Sequence, residues 1–184
     1  MTTPSYRPAP EWETDRWFNA PAPLTLAGLR GRVVLLGAFQ MLCPGCVQTL
    51  LPQLQQAHAL FDPKQVAVVG LHTVFEHHAA MTPVALEAFL HEYRIGFPVG
   101  VDRPGGPGGM PLTMARYAMQ GTPTLILVDG LGRLRMQRFG HEPDLRLGAS
   151  IMKLVDEADA AGPLPDAAAG ADRTGVCTPG QGCD

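Results

Sequence analysis

Val33-Val34-Leu35-Leu36-Gly37-Ala38-Phe39 runs through Gln40-Met41-Leu42 into Cys43-Pro44-Gly45-Cys46, and Leu50, Leu51, Leu54 and Ala57 follow at helical spacing. The continuous apolar run from Val33, without alternation, is the pattern of a strand buried on both faces. Pro44 supplies a helical φ and lacks an N–H that would have no partner in a first helical turn. The stretch therefore predicts a buried strand, a cysteine pair at its end, and a helix whose apolar stripe lasts to about Leu60.

The pattern repeats outward. Gln65 to His72 reads as a second buried strand, followed by a polar loop from Thr73 to Thr82 and a helix from about Pro83 with Leu86, Phe89, Leu90 and Tyr93 on one face. Phe97 to Val101 predicts a short strand, Arg103 to Pro111 a Gly/Pro loop, and Leu112 to Met119 a short helix. Thr124 to Val128 and Arg133 to Phe139 predict a hairpin across Asp129-Gly130-Leu131-Gly132, with Arg133, Arg135 and Arg138 as exposed strand charges. A last helix is expected from about Asp144 to Ala158, with Leu145, Leu147, Ile151, Leu154 and Val155 inward. Strands alternating with helices and ending in a hairpin describe an α/β domain: a central mixed sheet with helices on both faces. In such a sheet the carboxyl ends of parallel strands gather the functional groups, so the cysteine pair and His72 are expected to share one edge.

With 184 residues, 46% hydrophobic and 17% charged, the chain has room for one full core plus appendages. Its formal charge of -3 gives no electrostatic reason to expect nucleic acid or an anionic membrane surface as partner. There is no run of about 20 apolar residues that would cross a bilayer. The start, Met1-Thr2-Thr3-Pro4-Ser5-Tyr6, lacks an apolar leader core, and a cytoplasmic location is expected. Residues 1–21, rich in Pro and charge, read as an extension anchored by Trp12, Trp17 and Phe18; residues 22–160 form the domain; residues 161–184 read as a flexible tail.

The four cysteines fall into two close pairs, Cys43/Cys46 and Cys177/Cys183. A thiol–disulfide exchanger needs one ionised thiol and a second one near enough to resolve a mixed disulfide. Two intervening residues at a helix start meet both needs, because free N–H groups and the positive helix end favour the first thiolate. Half of a zinc site or a pair of inert core thiols are the competing readings, but zinc asks for further ligands. His72, Glu76, His77 and His78 sit in or beside one loop on the expected edge; they are candidates for a proton relay or, with Cys43 and Cys46, a metal site, against the plainer reading of a solvated loop. Cys177/Cys183 is a possible second redox pair, closed by good turn residues. Met110, Met114 and Met119 read as core or loop packing.

Leu24-Thr25-Leu26, Leu29-Arg30-Gly31-Arg32-Val33-Val34-Leu35-Leu36, Phe39, the cysteine pair and Gly121-Thr122-Pro123-Thr124 occur in the order that resembles TlpA-like redoxins, the thioredoxin-fold thiol–disulfide reductases grouped with the AhpC/TSA peroxidases. The resemblance covers about residues 22 to 158. It implies a thioredoxin-like fold, Cys43 as nucleophile, Cys46 as resolving thiol, Pro123 as a cis-proline facing the disulfide, and Thr122 as the residue whose backbone pairs with substrate. Pro44 and Gly45 complete the substrate-contacting loop. It also implies a disulfide-bearing protein or small molecule as substrate, an upstream thiol reductant as partner, and no cofactor or metal. The sequence departs from that pattern at Leu42, Gly37 and Thr49, where Trp, a buried carboxylate or Asn, and Glu are usual. Pro52 stands one residue late, which points to an inserted residue in the first helical turns. A thiol peroxidase is the main alternative; its Thr and Pro would stand three and seven residues before the reactive cysteine, and neither Gln40/Leu36 nor Cys43/Phe39 fits. A metal-binding or metallochaperone module built from Cys43, Cys46 and a loop histidine is the third reading.

Overall fold

The structure, a computed structural model, describes residues 6–106 and 109–162. Six strands form one sheet: β1 (Thr14–Phe18), β2 (Val33–Phe39), β3 (Val66–His72), β4 (Val99–Asp102), β5 (Thr124–Val128) and β6 (Leu134–Phe139). Their order across the sheet is β1-β4-β3-β2-β5-β6. Strands β4, β3 and β2 run parallel, while β1, β5 and β6 join antiparallel. The helices are α1 (Leu51–Leu60), α2 (Pro83–Glu92), α3 (Leu112–Arg116) and α4 (Asp144–Ala161).

Every residue of β2, β3 and β5 is buried, which explains their unalternating apolar composition. Alternate side chains enter different cores. Val33, Leu35 and Phe39 pack with Leu54 of α1, Leu86 and Leu90 of α2, and Ile151 and Leu154 of α4. Val34, Leu36 and Ala38 pack on the other face with Ile126, Val128, Trp12 and Tyr117. Each fully buried Leu or Ile contributes about 2 kcal/mol by removal from water, so the sheet is fixed from both sides. The β2–β3 register pairs Phe39 with His72, which brings the chain leaving β2 and the loop leaving β3 to one edge.

The N-terminal segment is anchored more firmly than its composition suggests, because it forms edge strand β1 along β4. Gly100 makes room for it: a Cβ there would stand 3.1 Å from the Trp17 ring.

Several side chains differ from the sequence reading. Leu145 is 92% exposed, since it lies about 200° around α4 from Leu147, whose stripe continues through Ile151, Leu154 and Val155. Tyr93 caps α2, half exposed, and stacks on Phe89 at 4.3 Å. Met110 is exposed, whereas Met114 and Met119 are buried. Arg135 is not an exposed strand charge: its side chain is 8% exposed, lies over the Tyr6 ring at 4.1 Å, and bridges Asp129 and Glu157. Among the described residues no helix is long and apolar enough to cross a membrane. Cys177 and Cys183 lie outside the described residues.

Candidate active site

Strand β2 ends at Phe39, and the backbone turns so that the Cys43 N–H donates to the Gln40 carbonyl at 3.3 Å. The helix begins at Pro44, as the proline suggests. Cys43 is half-buried, and the Cys46 backbone N–H, which donates to the Cys43 carbonyl at 3.0 Å, also reaches the Cys43 sulfur at 3.2 Å. The Cys43 thiol donates to the Thr122 carbonyl at 3.6 Å. Cys46 is wholly buried. Burial foremost, then the adjoining Cys43 thiol, pushes the Cys46 thiol up to about 12, while hydrogen bonds from the Gln40 backbone and the Thr122 side chain pull the other way. Both thiols are free.

The segment Cys46–Leu50 is a π-helical turn, in which the Leu51 N–H reaches back five residues to the Cys46 carbonyl. This is the inserted residue that the late Pro52 implied. In a regular α-helix the Pro52 ring would press on the Gln48 carbonyl and offer it no N–H; the wide turn accommodates the ring. Thr49, where Glu is usual, donates its hydroxyl to the Gly45 carbonyl at 2.6 Å.

The Thr122–Pro123 peptide is cis. Pro123 lies against the cysteine loop: a Cβ on Gly45 would stand 3.3 Å from Pro123 Cδ, so the glycine allows the two segments to meet. At Gly37, where the family resemblance would place a buried carboxylate or Asn, a side chain would require Leu54 to move. A Cβ would be 2.5 Å from Leu54 Cδ1.

The four loop candidates divide. His72 shares the edge with the cysteines but turns into the core, 1% exposed, against Phe39 at a ring distance of 5.3 Å. Its Nε2 has no hydrogen-bond partner, and burial lowers the imidazole to about 4. His77 and His78 are exposed, His77 with φ 49°. Glu76 is exposed, but its carboxylate accepts from Gln40 Nε2 at 3.4 Å. Among the described residues no group of three His, Cys, Asp or Glu side chains is arranged to hold a metal ion. Gln40 is the site residue that sequence reasoning passed over, although a lone amide between an apolar strand and a cysteine pair was a signal.

Solved structures and curated proteins resemble this chain. A crystal structure of a thioredoxin-like superfamily protein is 58% identical, covers 81% of this chain and 96% of its own, and superposes with a TM-score of 0.79. A thiol-disulfide isomerase from Corynebacterium glutamicum is 46% identical over 80% of this chain and 96% of its own, at a TM-score of 0.78. Thiol-disulfide oxidoreductase ResA of Bacillus thuringiensis is 24% identical over 72% of this chain and 69% of its own length. Protein DipZ of Mycobacterium tuberculosis is 26% identical over 81% of this chain, which spans only 21% of that protein. The thioredoxin-like fold anticipated from the cysteine pair and Thr122-Pro123 is thus the fold of close structural relatives. With the AhpC/TSA family profile matching residues 7–137, well over half its length, the chain belongs to the AhpC/TSA family.

Proposed function

We propose that this protein is a dithiol reductant of disulfides, in which Cys43 attacks the substrate disulfide and Cys46 resolves the mixed disulfide. One observation carries the reading: a half-buried Cys43 whose sulfur takes the Cys46 N–H at a helix start, with a wholly buried thiol one turn further on. That arrangement supplies an accessible nucleophile held by a backbone donor and a second thiol out of contact with solvent until the mixed disulfide forms. Thr122 and Pro123, beside Cys43 and Gly45, are the proposed contact surface for the substrate backbone. The named activities of the ResA and Corynebacterium relatives support exchange chemistry with a disulfide-bearing protein.

The reducing direction is our inference from Gly45, which offers the thiolate no side-chain donor. Equilibration with glutathione should give a potential nearer the roughly -270 mV of thioredoxin than the roughly -120 mV of a strong oxidant.

The test is turnover of the reduced protein against insulin disulfides and against hydrogen peroxide, with Cys43→Ser and Cys46→Ser in parallel. Disulfide reduction abolished by Cys43→Ser, with a trapped mixed disulfide in Cys46→Ser, is the expected result. Rapid peroxide turnover without disulfide reduction would establish the peroxidase reading instead.

A further inference from the structure

Glu76 is exposed, yet it is held in place. Gln40, 1% exposed, reaches it from below, and a buried carboxamide needs partners for its donors and its acceptor. Gln40 Oε1 accepts the Phe75 backbone N–H at 3.4 Å, which leaves Nε2 for Glu76 Oε1 and Thr122 Oγ1, each at 3.4 Å. The amide can face only this way, because a backbone N–H must donate and a carboxylate must accept. The Thr73 N–H also donates to the Phe39 carbonyl at 3.1 Å, so the chain leading to Glu76 is fastened twice to the segment that leads to the cysteines. Two oxygens on one nitrogen stand no more than about 7 Å apart, inside the roughly 8 Å over which exposed charges act at physiological salt. The Thr122 carbonyl in turn accepts from the Cys43 thiol at 3.6 Å. A fixed carboxylate therefore stands beside the edge that faces the nucleophile. Among the described residues Glu76 forms no ion pair with Lys, Arg or His.

We propose that Glu76 is a specificity-determining residue, which selects disulfide substrates that carry a Lys or Arg beside the reacting cysteine. The assignment rests on the exchange reaction proposed above, with Thr122 as the contact for the substrate backbone. An extended substrate chain advances roughly 3.3 Å per residue. A side chain one or two positions from the reacting cysteine is therefore within reach of Glu76. The long stems of Lys and Arg bring their charge to the carboxylate. A carboxylate has acceptor sites on both oxygens, so the bond from Gln40 to Oε1 leaves room for a second donor. Because Gln40 holds the carboxylate before the substrate arrives, less side-chain freedom is lost on binding. A charge at such a rim acts on the encounter rate and its salt dependence. The chemistry of Cys43 and Cys46 stays as described.

The experiment uses the reduced full chain and a short cysteine peptide, capped as a disulfide with neutral thiopyridine and flanked on both sides by Lys, Gln or Glu. The released thiopyridone is coloured. The readout is kcat/KM for the Lys peptide divided by that for the Glu peptide, taken within each protein so that any general change in thiol reactivity cancels. The unaltered protein should prefer the Lys peptide about tenfold at low salt, from an attraction and a repulsion each worth a few-fold for exposed charges. High salt should shrink that preference. Glu76→Gln keeps an acceptor for Gln40 and removes the charge; its ratio should fall to about twofold, the part owed to the overall charge of -3. Glu76→Lys should invert the preference. An unchanged ratio in Glu76→Gln would overturn the assignment, as would a Glu76→Lys protein that still favours the Lys peptide. So would an unaltered protein with no preference, or with one indifferent to salt. Failure of the unaltered protein to release thiopyridone from any of the peptides would instead defeat the exchange function, and the role of Glu76 with it.

Discussion

His72 and Cys46 lie at the same sheet edge, and burial acts on them in opposite senses, lowering the imidazole to about 4 and raising the thiol to about 12. Desolvation disfavours whichever form is charged, so both groups are held neutral. For His72 this becomes a stability term. The unfolded chain takes up a proton as pH falls through 6.5, the ordinary value, whereas the folded chain resists until about 4. Stability from this group is therefore complete above pH 6.5 and declines as pH falls toward 4, by about 3 kcal/mol in all. Urea unfolding at pH 7.5 and 4.5 should show the unaltered protein losing more stability than His72→Phe, which has no group to protonate and removes the unpartnered Nε2. Equal losses in the two proteins would refute this. At the two described cysteines, alkylation of the reduced protein should label Cys43 well before Cys46, because of this pair Cys43 alone is reachable from solvent; peptide mapping with Cys46 labelled first would reverse their roles. The two cysteine positions were legible because CxxC at a strand end has few other uses. Gln40 was not, since which of several polar neighbours a buried amide meets depends on packing between loops distant in sequence.

At the scale of the element, the segment from Cys43 to Leu60 shows how far one misplaced proline can be read. Its late position indicated one extra residue, and that residue is absorbed in the π-helical turn Cys46–Leu50. The physical cause is testable. Deleting Gln48, exposed in that turn, should restore a regular helix and drive the Pro52 ring against the carbonyl four residues before it. The expected cost is about 3 kcal/mol in urea unfolding, and adding Pro52→Ala to the deletion should recover most of it. If the second change rescues nothing, the wide turn has another origin. Strand β1 was harder to see: Thr14–Phe18 mixes charge with aromatics, and an edge strand with one half-exposed face has no strong periodic signature. The inward and outward faces of α4 were legible except at Leu145, where an apolar side chain in the first turn simply faces water.

Across the whole molecule, the boundary drawn at residue 21 separates by composition what the structure joins by contact. Trp12 is 6% exposed in the second core, with its Nε1 donating to the Leu24 carbonyl at 2.6 Å. The Tyr117 hydroxyl donates to the Pro10 carbonyl at 2.6 Å, and the Glu11 carboxylate accepts the Leu26 N–H at 2.7 Å. The exposed ion pairs of Glu13 and Asp15 with Arg103 and Arg116 contribute little beside these. A chain beginning at Ala22 would lose the Trp12 side chain, worth about 3–5 kcal/mol for a buried Trp, and would leave β4 as an open edge able to pair with other chains. Against a typical domain stability of about 5–15 kcal/mol, this truncation should lower the unfolding midpoint sharply or produce aggregates. A chain ending at Gly162 should unfold near the full-length midpoint, because the six strands, both cores and the cysteine turn all lie before that residue. The same C-terminal truncation measures any electron relay through Cys177 and Cys183, as a fall in turnover with stability unchanged. Should the chain from Ala22 unfold at the full-length midpoint, the N-terminal segment would be an appendage after all, and its contacts with Tyr117 and Leu26 would carry no net stability.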